Sequence, residues 1–195
     1  MTLRPAPAIL VLAAGASSRM RGADKLLEPI DGTPLILRAC RAACRAADEV
    51  IVALPAGDAA RGAWLADLPV ARVPVAERAM AASIRAGVAR CRSAALLLHL
   101  ADMPEIDADD LAAVVAAWRT GDAPALRATG ADGRPGHPVV FDRSLFPALL
   151  SLAGDEGARP ALAGVPVATV ALPERRALTD LDTPEDWAAW RAARG

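Results

Sequence analysis

Arg19 and Lys25 follow a run of residues with almost no side chain, and an apolar run leads straight into it. Ile9 to Leu12 read as a short buried strand, and Ala13, Ala14, Gly15, Ala16, Ser17 and Ser18 follow. Such a loop lets backbone amides and two hydroxyls approach a ligand closely, while the two cations supply charge where phosphate oxygens would lie. The chemistry it suggests is phosphate binding. It is neither of two common phosphate loops. The nucleoside-triphosphatase pattern fails because Gly22 is followed by Ala23 and Asp24, and Lys25 by Leu26. The dinucleotide pattern fails because Ser17 and Met20 stand at its second and third glycine positions. A plain strand and solvated turn is an alternative, and a cleaved secretory signal, with Arg4 ahead of a short apolar run, is another.

Four further clusters carry chemistry. Asp102 follows the most apolar stretch, Ala94 to His99, and the carboxyl end of a strand is where ligands bind in open α/β sheets. A carboxylate beside a phosphate loop is placed to hold a divalent cation, because Mg²⁺ commonly takes one or two protein carboxylates and completes its shell with water and phosphate; a turn-capping aspartate is the alternative. Asp180 and Asp182 precede Thr183-Pro184, which is equally a normal helix entry. His137, in Gly136-His137-Pro138, is either a substrate contact or an idle loop histidine. Ser83 and Arg85 at one helix start, and Arg159 after Gly154-Asp155-Glu156-Gly157, could meet an anion or only solvent.

The elements needed to position these residues alternate strand and helix along the chain, which predicts a mostly parallel sheet covered on both faces. Strands are expected at 9–12, 50–54, 71–74, 94–99, 138–141 and 165–171, with an extended segment at 123–128. Helices are expected from a Thr33-Pro34 cap to Ala47 and at 58–66, 79–90, 107–119 and 155–163, with a last one starting at Thr183. Three glycines make 129–136 an exposed loop. No repeat or polar linker divides the chain, so residues 1–195 are expected to form one α/β/α domain.

Composition narrows the function. With 22 basic and 23 acidic residues there is no general basic surface for nucleic acid. No apolar run is long enough to span a membrane. Cys40, Cys44 and Cys91 are an odd set that suits free thiols in a reducing, cytoplasmic setting. Cys40 and Cys44 share a helix face, but two histidines in the whole chain leave a soft-metal site short of partners.

Together, the segments Leu12-Ala-Ala-Gly-Ala-Ser-Ser-Arg-Met20 with Lys25, Ala101-Asp-Met-Pro104 and Asp182-Thr-Pro-Glu-Asp186 resemble the molybdenum-cofactor nucleotidyltransferases, within the wider group of pyrophosphorylase-like transferases. Met80-Ala-Ala-Ser-Ile-Arg-Ala-Gly87, Gly136-His-Pro-Val139 and Gly154-Asp-Glu-Gly-Ala-Arg159 are similar to segments of the cytidylyltransferase branch. So is the Ala13-Ala14-Gly15 form of the loop, where guanylyltransferases carry Ala-Gly-Gly. The resemblance implies a Rossmann-like three-layer fold and CMP transfer from CTP to molybdopterin, with Mg²⁺ held by Asp102 and Asp182. It implies nucleotide contacts from 12–19, Lys25, Ser83 and Asp102. Arg19 would meet the β- and γ-phosphates and Lys25 the α-phosphate, with His137 and Arg159 on the substrate side. A molybdenum hydroxylase would receive the product. GTP or another phosphorylated acceptor is the first alternative; a cofactor carrier without catalysis is the second. One departure stands out: Arg21 occupies a position where the family usually has glycine, so either position 21 is strained or the turn uses Gly22.

Overall fold

The computed structural model describes residues 3–77 and 79–194. In chain order the elements are β1 (Ala8–Leu12), the short pair β2 (Pro29–Ile30) and β3 (Thr33–Pro34), α1 (Leu35–Ala46), β4 (Val50–Pro55), α2 (Ala59–Ala63) and β5 (Ala71–Val75). They continue with α3 (Met80–Arg90), β6 (Ala95–Leu100), α4 (Ala108–Thr120), β7 (Ala125–Thr129), β8 (Pro135–Asp142), α5 (Phe146–Leu150), β9 (Val167–Ala171) and α6 (Pro184–Arg194).

The main sheet has the order β5-β4-β1-β6-β8-β7-β9. All its pairings are parallel except those of β8, which runs antiparallel to both β6 and β7. Alternation along β1 sends Ile9 and Val11 into one apolar layer and Ala8 and Leu10 into the other. The first layer is closed by Leu35 and Ile36 of α1, Leu111 and Val114 of α4, and Trp187 of α6; the second by Ile84 and Val88 of α3 and Leu149 of α5. The result is the expected α/β/α sandwich. α3 lies so close to β1 that a methyl group at Gly87 would collide with the Leu10 side chain, and this approach sets the distance between α3 and the loop that follows β1.

Local differences from the expected elements have physical causes. Pro34 stands at the N-cap of α1 without a side-chain hydrogen bond, and Thr33-Pro34 also pairs with Pro29-Ile30 in a short hairpin joined through the tight turn Asp31-Gly32. The expected helix over 58–66 is only five residues long, capped by Asp58, whose carboxylate accepts from the Arg61 N–H. The glycine-rich stretch supplies its turn at 130–134, but Pro135 already belongs to β8, so His137 sits in a strand and not in an exposed loop. Only a 3₁₀ turn, Arg159–Leu162, forms in place of a helix over 155–163. Cys40 is buried, and burial pushes its thiol up to about 12. Among the described residues no group of three or more His, Cys, Asp or Glu could hold a metal, and no helix is long and apolar enough to cross a membrane.

Candidate functional site

β1 and β6 are neighbours, so the loops beyond their carboxyl ends open side by side; the Ala101 N–H bonds the Leu12 carbonyl at 3.2 Å and continues the ladder past both strands. Asp102 comes next. The segment before α6 returns to the same place because the Leu181 N–H donates to the Asp102 carbonyl at 3.2 Å. Asp182 is then fixed at the head of α6, where its own N–H and that of Thr183 bond the Asp186 carboxylate at 3.2 and 2.9 Å.

Lys25 joins these pieces. Its Nζ lies 2.5 Å from Asp102 Oδ2 and 2.7 Å from Asp182 Oδ1, and the residue is only 9% exposed. Burial alone pushes the ammonium's pKa down, but the two carboxylates outweigh it and the net shift is upward. Lys25 is therefore a fixed cation. Arg19 bonds the other oxygen of Asp182 at 2.7 Å and is otherwise open to solvent. Asp102 Oδ1 is buried and has no partner among the described residues.

The loop itself is held from behind. Arg61, 4% exposed, donates to the carbonyls of Ala13 (2.6 Å) and Gly15 (2.9 Å) and to both oxygens of Asp24 (2.7 and 2.9 Å). Asp24 also accepts from the Ser17 hydroxyl and from the Leu26 N–H. Burial raises the Asp24 pKa, but these donors and the Arg61 charge more than reverse it, so the carboxylate is held below its ordinary value. Ser17 and Arg21 both adopt left-handed backbone, with φ of 50° and 52°, followed by Gly22 at 98°. The turn thus uses Gly22 and strains Arg21 as well. Among the described residues, the N–H groups of Ala14, Gly15, Ala16 and Ser17 donate no hydrogen bond, so four amides are free for oxygens of a ligand.

A cavity of about 350 Å³ lies over this rim, lined by Leu12, Ala14, Gly15, Ala16, Arg19, Lys25, Ser83, Asp102 and Asp182 among the residues expected from sequence. Ala13 is buried behind it, Ser17 faces a second recess on the far side of the loop, and Ser18 opens a 3₁₀ turn. The Ser83 hydroxyl turns back to the Ala79 carbonyl at 3.4 Å. His137 and Arg159 line a neighbouring cavity that shares Leu12, Met80 and Leu100 with the first. His137 Nδ1 is buried without a partner, and burial followed by the Arg127 charge pushes its pKa down to about 4, against the opposing pull of Asp102. Sequence reasoning missed Arg61, Asp24 and Arg127. Arg61 resembles any cation on a short helix, and only the fold reveals its burial; Asp24, next to Lys25, carried a usable signal.

A buried lysine between two carboxylates, an exposed arginine and a row of free amides can bind a polyphosphate and neutralise charge that develops on it. The chain matches the MobA-like NTP transferase domain family over residues 9–171. It is similar to Rv0371c of Mycobacterium tuberculosis H37Rv, with 30% identity, a TM-score of 0.80 and coverage of 95% of this chain and 98% of that one. A second structure of that protein, 27% identical with a TM-score of 0.78, is a complex with manganese and covers 95% and 97% of the two chains. Among curated proteins, the purine catabolism protein PucB of Bacillus subtilis is 29% identical over 93% of this chain and 94% of its own length. A molybdenum cofactor guanylyltransferase of Burkholderia ambifaria is 35% identical over 60% of each chain. The fold, the rim beyond β1 and β6 and the extent of these matches agree: the chain belongs to the MobA-like NTP transferase family and carries its general nucleotidyltransferase chemistry.

Proposed function

We propose that the protein transfers a nucleotidyl group from a nucleoside triphosphate to a phosphorylated acceptor at the centre formed by Lys25, Asp102 and Asp182. The observation that carries this reading is the convergence of both carboxylates on one buried ammonium, beneath a loop of four free amides. An acceptor phosphate oxygen attacks the α-phosphorus, a new P–O bond forms, and the bond to the β-phosphate bridging oxygen breaks to release pyrophosphate. Such a step asks little covalent work of the protein and much positioning. Lys25 would meet the α-phosphate, Arg19 the β- and γ-phosphates, and the amides of 14–17 the remaining oxygens.

The donor set fits a divalent ion such as Mg²⁺: the unpartnered Asp102 Oδ1 and the nearby Asp182 are two hard oxygen ligands, enough where phosphate and water supply the rest. Bound there, the ion would neutralise phosphate charge.

The finer reading is CTP as donor and molybdopterin as acceptor, with the product passed to a molybdenum hydroxylase. Its support is the Ala14 methyl, which lines the cavity where a glycine would leave more room for a purine, together with the segments around Ser83, His137 and Arg159. A guanylyl reading is favoured by the 35% identity to the Burkholderia ambifaria guanylyltransferase. Pyrophosphate release, measured with each nucleoside triphosphate with and without molybdopterin, separates them. Release with CTP and molybdopterin alone supports the cytidylyl reading, and release with GTP replaces it. Asp102→Asn should abolish release in Mg²⁺ while the melting temperature holds. No release from the wild type with any nucleotide and phosphorylated acceptor would overturn nucleotidyl transfer in favour of a carrier.

A further inference from the structure

The second cavity, about 100 Å³, is lined by two arginines, Arg127 and Arg159, neither of which lines the cavity over Lys25. Arg127 stands on β7, paired with Val139 and Thr169 of the flanking strands, and its side chain lines the same cavity as Arg159. Both also line a wider recess that continues outward over Pro160 and Thr169. The Arg127 Nε donates to the Gly136 carbonyl at 2.9 Å, which fixes the stem and leaves the two terminal nitrogens of the fork uncommitted. Arg159 makes no hydrogen bond or ion pair among the described residues, and neither arginine has an acidic partner there. Arg127 is half-buried and Arg159 exposed; the two most buried cations among the described residues, Lys25 and Arg61, are by contrast paired with Asp102 and Asp24. Partial burial pushes the Arg127 pKa down and the Arg159 charge pushes it further, so the two guanidinium groups repel each other with nothing between them. His137 lines the same cavity, and its buried Nδ1 has no partner among the described residues.

Two guanidinium groups lining one cavity that no carboxylate lines are a receptor for an oxyanion. This site is distinct from the triphosphate site, because Arg19, Lys25 and Asp102 do not line the second cavity and Arg127 and Arg159 do not line the first. The shared wall between them is apolar: Leu12, Met80 and Leu100.

We infer that Arg127 and Arg159 hold a second anionic group of the acceptor, which therefore carries charge at both ends: a phosphate that reacts beside Asp102, and an oxyanion clamped between the two arginines across an apolar middle. The inference rests on the nucleotidyl-transfer reading for the identity of the first end only. It makes Arg127 and Arg159 specificity residues that select doubly anionic acceptors over simple monophosphates.

Inorganic phosphate is the probe. The protein is saturated with Mg²⁺ and a non-hydrolysable CTP analogue, so that the loop is filled, and phosphate is titrated while the arginine Nε–Hε signals are followed by NMR. The signals of Arg127 and Arg159 should move together on one saturation curve. Arg159→Gln should weaken phosphate at least tenfold and leave the analogue's affinity within twofold, and Arg159→Lys should restore part of the loss. Arg159→Gln gives up no internal hydrogen bond and removes a repulsion, so the variant should melt no lower than the wild type; a purely structural arginine would lower the melting point. Phosphate that moves neither signal, or that binds Arg159→Gln as tightly as the wild type, overturns the inference. Failure of the analogue to bind would instead strike the nucleotidyl-transfer reading, since the arginine signals report phosphate independently.

Discussion

The two histidines of the chain should make it unusually sensitive to mild acid. His99 is fully buried on β6, neither ring nitrogen has a partner among the described residues, and burial followed by the nearby His137 pushes its pKa down to about 3. His137 is pushed down to about 4. Both folded values lie below the ordinary 6.5, so between pH 6.5 and 4 the unfolded chain binds protons that the folded chain refuses. Stability therefore falls as pH falls through that window. At pH 5 each histidine contributes a loss of about 2 kcal/mol, from 1.5 pH units at about 1.4 kcal/mol each, or about 4 kcal/mol for the pair. That is a large part of the 5–15 kcal/mol typical of a folded protein. Asp180, pushed up by partial desolvation and by Asp182 and Asp102, works in the opposite direction and trims the total. Carboxylates held below their ordinary values, such as Asp24 and Asp142, add their losses only at lower pH.

The assay is urea unfolding at pH 7, 6 and 5, for the wild type and for His99→Leu. Leucine matches the flanking Leu97, Leu98 and Leu100 and removes two unpartnered polar atoms, so it should be neutral or stabilising at pH 7. It should also halve the acid loss, to about 2 kcal/mol. A wild-type loss below about 1 kcal/mol between pH 7 and 5, or a His99→Leu slope equal to the wild type's, would refute the reasoning.

Two further outcomes test the loop. Arg61→Met leaves the Asp24 carboxylate and the Ala13 and Gly15 carbonyls without their donor, so it should cost about 3–5 kcal/mol in urea unfolding; adding Asp24→Asn should recover part of the loss, and no recovery would dismiss the clamp. Arg21→Gly should raise the melting temperature, because it relieves a left-handed non-glycine residue worth about 1 kcal/mol and gives up only an exposed ion pair to Glu185; a drop would show that the pair outweighs the strain.

The parts of this molecule that were legible in the sequence are those where one local signal decides. An apolar run followed by small residues and two cations marked β1 and the loop, and Asp102 after the leucines of β6 marked the same rim. What was not legible depends on partners far away in sequence. Glycine spacing marked 129–136 as a loop, but Pro135 pairs with Thr129 of β7 and the His137 N–H bonds the Ala177 carbonyl, which draws 135–137 into a strand. Arg61 gives no local sign of its role because its acceptors lie 37 to 48 positions earlier. Arg127 reads as an ordinary strand residue until Arg159, from a different turn, is brought to the same cavity.

The pairing of Lys25 with Asp182 spans 157 positions and that of Arg21 with Glu185 spans 164. The Trp190 indole reaches Glu105, and Arg191 reaches Glu28. The last helix is thus a clasp thrown back over the earliest part of the chain. In order of synthesis, Arg19 and Lys25 emerge before Asp102, and Asp102 before Asp182. Until Asp182 arrives, a growing chain has the phosphate-binding loop without the carboxylate that balances Arg19, and its positive charge stands open to any polyphosphate in the surroundings. Charge neutrality at this rim is completed only with Asp182, at the head of α6.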